Sequence, residues 1–131
     1  MSVFSAGEIA FLQSLRLGRL ATVNAAGEPH VVPVRFAYNA ALDTIDVGGR
    51  FFGRSKKFRD AQQNGHVAFV VDDAPEPGVI HGIEIRGRAE ALDEGQEIWS
   101  DADPEMLRIR PTHVASWGID TPAYPAHSRD V

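Results

Sequence analysis

The chain has 131 residues, of which 44% are hydrophobic and 24% charged, with a net charge of −5 and no cysteine. That length suits a single soluble domain able to bury about two-thirds of its unfolded surface, and the absence of cysteine excludes disulfides, thiolate metal sites and cysteine nucleophiles. The acidic balance argues against duplex nucleic acid as a partner. No run approaches the ~20 apolar residues of a membrane span, and the start Met1-Ser2-Val3-Phe4-Ser5 lacks the form of a signal peptide, so the cytoplasm is the expected location.

Ser5 followed by Glu8 makes a capping box. With Ile9, Phe11, Leu12 and Leu15 behind it and Gly18 as a stop, the pattern predicts a helix over 6–17. A short strand over 19–24, a turn at 25–28 and a strand over 30–38 rich in β-branched and aromatic residues make a hairpin. A third strand is expected at 44–47. After the glycine-punctuated stretch 48–54, Ser55 can cap a helix over 56–63 that Asn64-Gly65 closes. Strand 66–71 comes next, then an acidic, proline-rich surface loop over 72–78. The fifth strand alternates cleanly: Ile83, Ile85, Gly87 and Ala89 take one face, and Glu84, Arg86, Arg88 and Glu90 the other. A short helix is expected within 94–103. A sixth strand over 106–119 is expected to bulge at Pro111, because proline cannot donate to a ladder. Residues 121–131 show no periodicity and read as a loosely held tail. The fold class is therefore mainly β with few helices: six short strands in a small antiparallel β-barrel spanning 1–131.

The strongest chemical signal is residues 48–59. Gly48 and Gly49 let a backbone approach a ligand closely. Arg50, Arg54, Lys56, Lys57 and Arg59 place five cations in ten residues without an acid. A capped helix start offers free N–H groups and the positive end of the helix dipole, which favour phosphate. Arginine can grip a phosphate with two parallel bonds. The segment is either such an anion site or a solvated basic face. Arg35, among Val32, Pro33, Val34 and Phe36, is either an outward-facing residue or a ligand contact. Trp117, beside Ser116 at the end of the last strand, either packs or stacks on a ring. The five histidines are scattered, with none at helical metal spacing, so no metal site is expected. No acid–base or nucleophilic constellation stands out, so any chemistry would be carried by a bound cofactor.

Four segments in this order carry a family resemblance: 29–36 (PHVVPVRF), 53–60 (GRSKKFRD), 82–89 (GIEIRGRA) and 109–118 (IRPTHVASWG). Together they resemble the pyridoxamine-phosphate-oxidase-like split-barrel superfamily, and within it the short proteins that bind the deazaflavin coenzyme F420. The resemblance implies a six-stranded antiparallel split β-barrel of the FMN-binding type, dimerising as a homodimer with cofactor sites at the subunit interface. It implies that the cofactor phosphate rests on Arg54, Ser55, Lys56 and Lys57, with Gly49 and Arg50 nearby. Val32, Pro33, Val34 and Arg35 would lie along the ring system, and Ser116 and Trp117 would approach it from the partner subunit. The implied reaction is hydride transfer to an activated double bond of a small molecule, such as a quinone or enone, with FMN as the alternative cofactor. A non-catalytic cofactor carrier is a third reading. No catalytic side chain is assigned; water, a substrate hydroxyl, Tyr38 and His113 are equal candidates for the proton source.

Overall fold

A computed structural model gives the architecture, and it describes residues 1–94 and 101–131. The elements are α1 (Ala6–Ser14), β1 (Leu17–Val23), β2 (Pro29–Asn39), β3 (Thr44–Gly48), a 3-10 turn (Phe52–Arg54), α2 (Lys56–Gln63), β4 (His66–Glu76), β5 (Val79–Leu92), β6 (Met106–Trp117) and β7 (His127–Asp130). All strand pairings are antiparallel, in the order β3-β2-β1-β4-β5-β6-β7. A further pairing of β3 with the start of β6 closes six of the strands into a barrel. The architecture is thus the expected mainly β split barrel, with one extra strand outside it.

Residues opposite one another across a ladder share a face. Leu20, Val34, Phe36, Ile45, Val47, Phe69, Ile83, Ile85, Leu107 and Ile109 therefore point inward into one core. The alternation of the fifth strand is realised: Ile83, Ile85 and Gly87 are buried, whereas Arg86 and Arg88 are exposed. The expected bulge at Pro111 is present as well. The β5–β6 register slips there, with Arg86 opposite His113 and Gly87 opposite Pro111.

Four sequence expectations are corrected. The first helix ends at Ser14 rather than at residue 17, because Leu15 already has extended backbone angles and Leu17 starts a strand. Residues 72–78 are not a loop. β4 continues to Glu76 and turns on Pro77 and Gly78, and a register break between Asp73 and Glu76 accommodates Pro75. The last barrel strand stops at Trp117, just before Gly118, which has a positive φ of 63°. Residues 127–130, read as part of a tail, form β7 along the second half of β6, where β3 no longer pairs. Four polar residues carry no alternation signal, so this strand is fixed by its partner and by an ion pair. Arg129 meets the buried Glu8 of α1 at 2.6 and 3.1 Å. The short helix expected within 94–103 falls largely on residues outside those described.

Candidate functional site

The barrel is split where β2 changes neighbours. Residues 29–35 of β2 pair with β1, and residues 35–39 pair with β3. On the β3 side, among the described residues, no strand pairs with β2 before Arg35. That edge leaves backbone N–H and C=O groups without ladder partners, ready to hydrogen-bond a planar ligand. Side chains alternate along it: Val32 and Val34 point toward the core, while Pro33 and Arg35 face outward.

β3 stops at Gly48, opposite Arg35, and the chain leaves the barrel directly beside this open edge. Gly49 is buried, and its carbonyl accepts a hydrogen bond from the Asp103 N–H at 3.0 Å. A Cβ placed on Gly49 would nonetheless point into open space, with no atom within 4 Å. Phe51 follows with a positive φ of 55°, a conformation costly for a side chain with a Cβ. The 3-10 turn then leads into α2.

Ser55 caps α2 by accepting from the Phe58 N–H at 3.3 Å. Its hydroxyl proton goes to the Phe52 carbonyl at 2.6 Å. Ser55 thus builds the helix start and does not aim its proton outward. The helix start carries the positive end of its dipole.

The cations here fall into two groups. Arg50 and Arg35 both reach Asp101, at 3.2 and 3.3 Å, and Lys56 pairs with Asp60 one turn on at 3.1 Å. Among the described residues, Arg54 and Lys57 have no carboxylate partner. Arg54 lies over the Phe51 ring at 5.7 Å and Lys57 over the Phe52 ring at 5.1 Å. Burial pushes the Lys57 ammonium below the ordinary lysine value. A desolvated cation without a counter-charge is the arrangement that an incoming anion stabilises most. Arg54, Lys57 and the N-terminal turn of α2, next to Gly49 and the open β2 edge, fit a phosphate attached to a flat ring system.

The structure brings Arg35, Gly49, Arg50, Arg54, Ser55, Lys56 and Lys57 to one end of the barrel. It does not bring Ser116 and Trp117 there. Met106, at the start of β6, lies opposite Gly48, and Trp117 lies eleven residues further along the same strand. At ~3.3 Å per residue that is roughly 35 Å of strand. Ser116 is buried beside Glu8, whose carboxyl it helps hold below the usual value. The proton-source candidates also lie elsewhere. The Tyr38 hydroxyl donates to Asp43 at 2.6 Å, and burial together with that carboxylate pushes the phenol up. His113 contacts Asp130 at 2.8 Å and lines a hollow of about 570 Å³ with His66 and Arg86 on the outer sheet face. That hollow contains none of the segment 48–59. Among the described residues, no group of three His, Asp or Glu side chains is placed to hold a metal ion, and no helix is long and apolar enough to cross a membrane.

Sequence reasoning missed Asp101, which gathers Arg35 and Arg50 from two elements. An acid some fifty residues downstream carries no local signal. It also missed Tyr124, an exposed aromatic in the segment between β6 and β7.

Residues 9–118 match the family model described as pyridoxamine 5′-phosphate oxidase. The chain belongs to that family, and it is an oxidoreductase of the split-barrel class. It is similar to the 5a,11a-dehydrotetracycline/5a,11a-dehydrooxytetracycline reductase of Streptomyces rimosus, with 44% identity over 132 residues, covering 98% of this chain and 93% of that protein. The conserved hypothetical protein Rv2991 of Mycobacterium tuberculosis shares the fold, with a TM-score of 0.72 at 21% identity over 91% of this chain and 88% of that one. So does the FAD binding protein of Mycobacterium smegmatis, with a TM-score of 0.66 at 20% identity and full coverage of both chains.

Proposed function

We propose that this protein is a cytoplasmic, homodimeric reductase that uses the deazaflavin coenzyme F420 to reduce an activated carbon–carbon double bond in a fused-ring enone of the dehydrotetracycline type. The observation that carries the cofactor reading is the pair Arg54 and Lys57, without carboxylate partners among the described residues, at the capped start of α2 beside Gly49. The acceptor class is supported by the 44% identity to a dehydrotetracycline reductase. The wider cationic cluster favours coenzyme F420 over FMN. A single terminal phosphate is satisfied by two or three cations, whereas the acidic tail of the deazaflavin would compete with Asp101 and Asp60 for the surface cations Arg50 and Lys56.

When bound here, the cofactor would supply hydride chemistry for the activated double bond, with water as the source of the accompanying proton. Arg54, Lys57 and the helix N–H groups would hold the phosphate and the β2 edge at Val32–Arg35 would carry the ring, an edge tied to the loop after β3 by the Arg35–Asp101–Arg50 bridge. Trp117 cannot reach this end of its own barrel, so in this reading it comes from a second copy. Exposed apolar side chains on β1 and β2, Leu17 at 56% and Val31 at 64%, interleaved with Arg19 and Arg35, are compatible with such an association.

The test is a fluorescence titration with coenzyme F420, with FMN run alongside. Saturable micromolar binding of the deazaflavin, lost when Lys56 and Lys57 are both replaced by alanine, is the expected result. Binding of FMN alone would move the protein to flavin chemistry, and binding of neither would end the cofactor reading.

A further inference from the structure

Tyr124 is 74% exposed, the most exposed aromatic side chain among the described residues. It borders two hollows at once. One, of about 480 Å³, is walled by Trp117, Ile80, Val70 and Gly82. The other, of about 590 Å³, follows the tip of the β4–β5 hairpin through Pro75, Pro77 and Val79. Ile80 and Tyr124 line both, so the two hollows adjoin at these residues, which form the waist of a shared trough-like surface. The Trp117 ring lies close over Gly82: a Cβ there would come within 3.1 Å of it. Apart from Glu76 at the hairpin tip, the polar side chains of the lining are one ion pair, Arg19 Nη1 to Asp72 Oδ1 at 2.6 Å, which offers a donor and an acceptor at the border.

We infer that this trough is the acceptor site, that it takes a flat fused-ring molecule with hydroxyl and carbonyl groups along its edge, and that Tyr124 sets how many rings are held. Two aromatic walls present π faces to a flat ligand. Covering the wet Tyr124 ring releases apolar surface from water. The Arg19–Asp72 pair faces the oxygenated edge. A one-ring acceptor fills only the Trp117 end, whereas a longer one must pass the waist and meet Tyr124. This inference rests on the preceding reading, in which the Trp117 end of β6 meets the cofactor ring of a second copy.

The test is calorimetric binding of tetracycline, as the four-ring probe, and cyclohex-2-enone, as the one-ring probe, to the intact protein and to Tyr124→Ala and Tyr124→Phe, with a deazaflavin titration of each in parallel. Because Tyr124 is exposed, neither variant threatens folding. The expected result is about a tenfold loss of tetracycline affinity in Tyr124→Ala, near-full retention in Tyr124→Phe, and unchanged deazaflavin and cyclohexenone binding. Equal tetracycline binding by the intact protein and Tyr124→Ala, or none by either, would overturn the inference even with cofactor binding intact. The expected tetracycline loss in a protein that binds no deazaflavin would sink the cofactor reading and leave the trough as a fused-ring site.

Discussion

Two regions of this chain draw charge away from water, and they handle it in opposite ways. In the α1–β7 clasp, Glu8 is 1% exposed and every bond around it is made. Burial pushes its carboxyl up, but hydrogen bonds from Arg129, the Ser5 N–H and Ser116, with the Arg129 charge, carry it below the usual carboxylate value. Arg129 also donates to the Val3 carbonyl at 2.8 Å. In the α2 segment, Lys57 loses hydration and receives no carboxylate in return, so burial alone moves it. Buried charge that is fully partnered specifies structure, whereas a desolvated charge with no carboxylate partner gains most from an anion outside the chain. The contrast separates a structural clasp from the proposed binding site.

The largest expected effect lies in the clasp. Arg129→Ala strands a buried carboxylate, and urea unfolding is expected to show a loss of about 3 kcal/mol, with deazaflavin affinity unchanged. Because the folded Glu8 carboxyl is depressed, its contribution is present above the unfolded carboxyl value and is lost as pH falls through the lower folded value. The intact protein should therefore lose stability on acidification, and Arg129→Ala should show less of that loss.

Next comes the site. Lys57→Ala should weaken deazaflavin binding about tenfold to a hundredfold, the size of one charge-assisted bond, while stability holds within about 0.5 kcal/mol. The cationic form binds the anion, so affinity should fall as pH rises through the lowered Lys57 value. That fall should begin at a lower pH than an ordinary lysine gives, and it should vanish in Lys57→Arg. A Lys57→Ala variant that loses stability as Arg129→Ala does, and keeps its affinity, would erase the distinction between the two regions.

The smallest effect is at Phe51. Glycine there relieves the positive φ and should stabilise the fold by under about 1 kcal/mol. It also removes the ring beneath Arg54, so deazaflavin affinity should drop about twofold. Thermal unfolding and the same titration measure both.

Much of this was legible in the chain itself, because it depends on neighbours in sequence. The Ser5–Glu8 capping box, the Ser55 cap with α2 over Lys56–Gln63, the alternation along β5 and the bulge at Pro111 are all local, and each is found. So is the clustering of cations after β3. The tertiary structure alone decided which of those cations are committed: Asp101 and Asp60 occupy Arg50 and Lys56, while Arg54 and Lys57 are left over aromatic rings. It alone decided that β7 exists, since four polar residues become a strand only when β6 offers a free edge and Glu8 a counter-charge. It also put Trp117 at the far end of the barrel from Arg54. Spacing along the chain fixes caps and faces, but which charges meet, and which do not, follows from barrel closure and strand register, where contacts join residues dozens of positions apart.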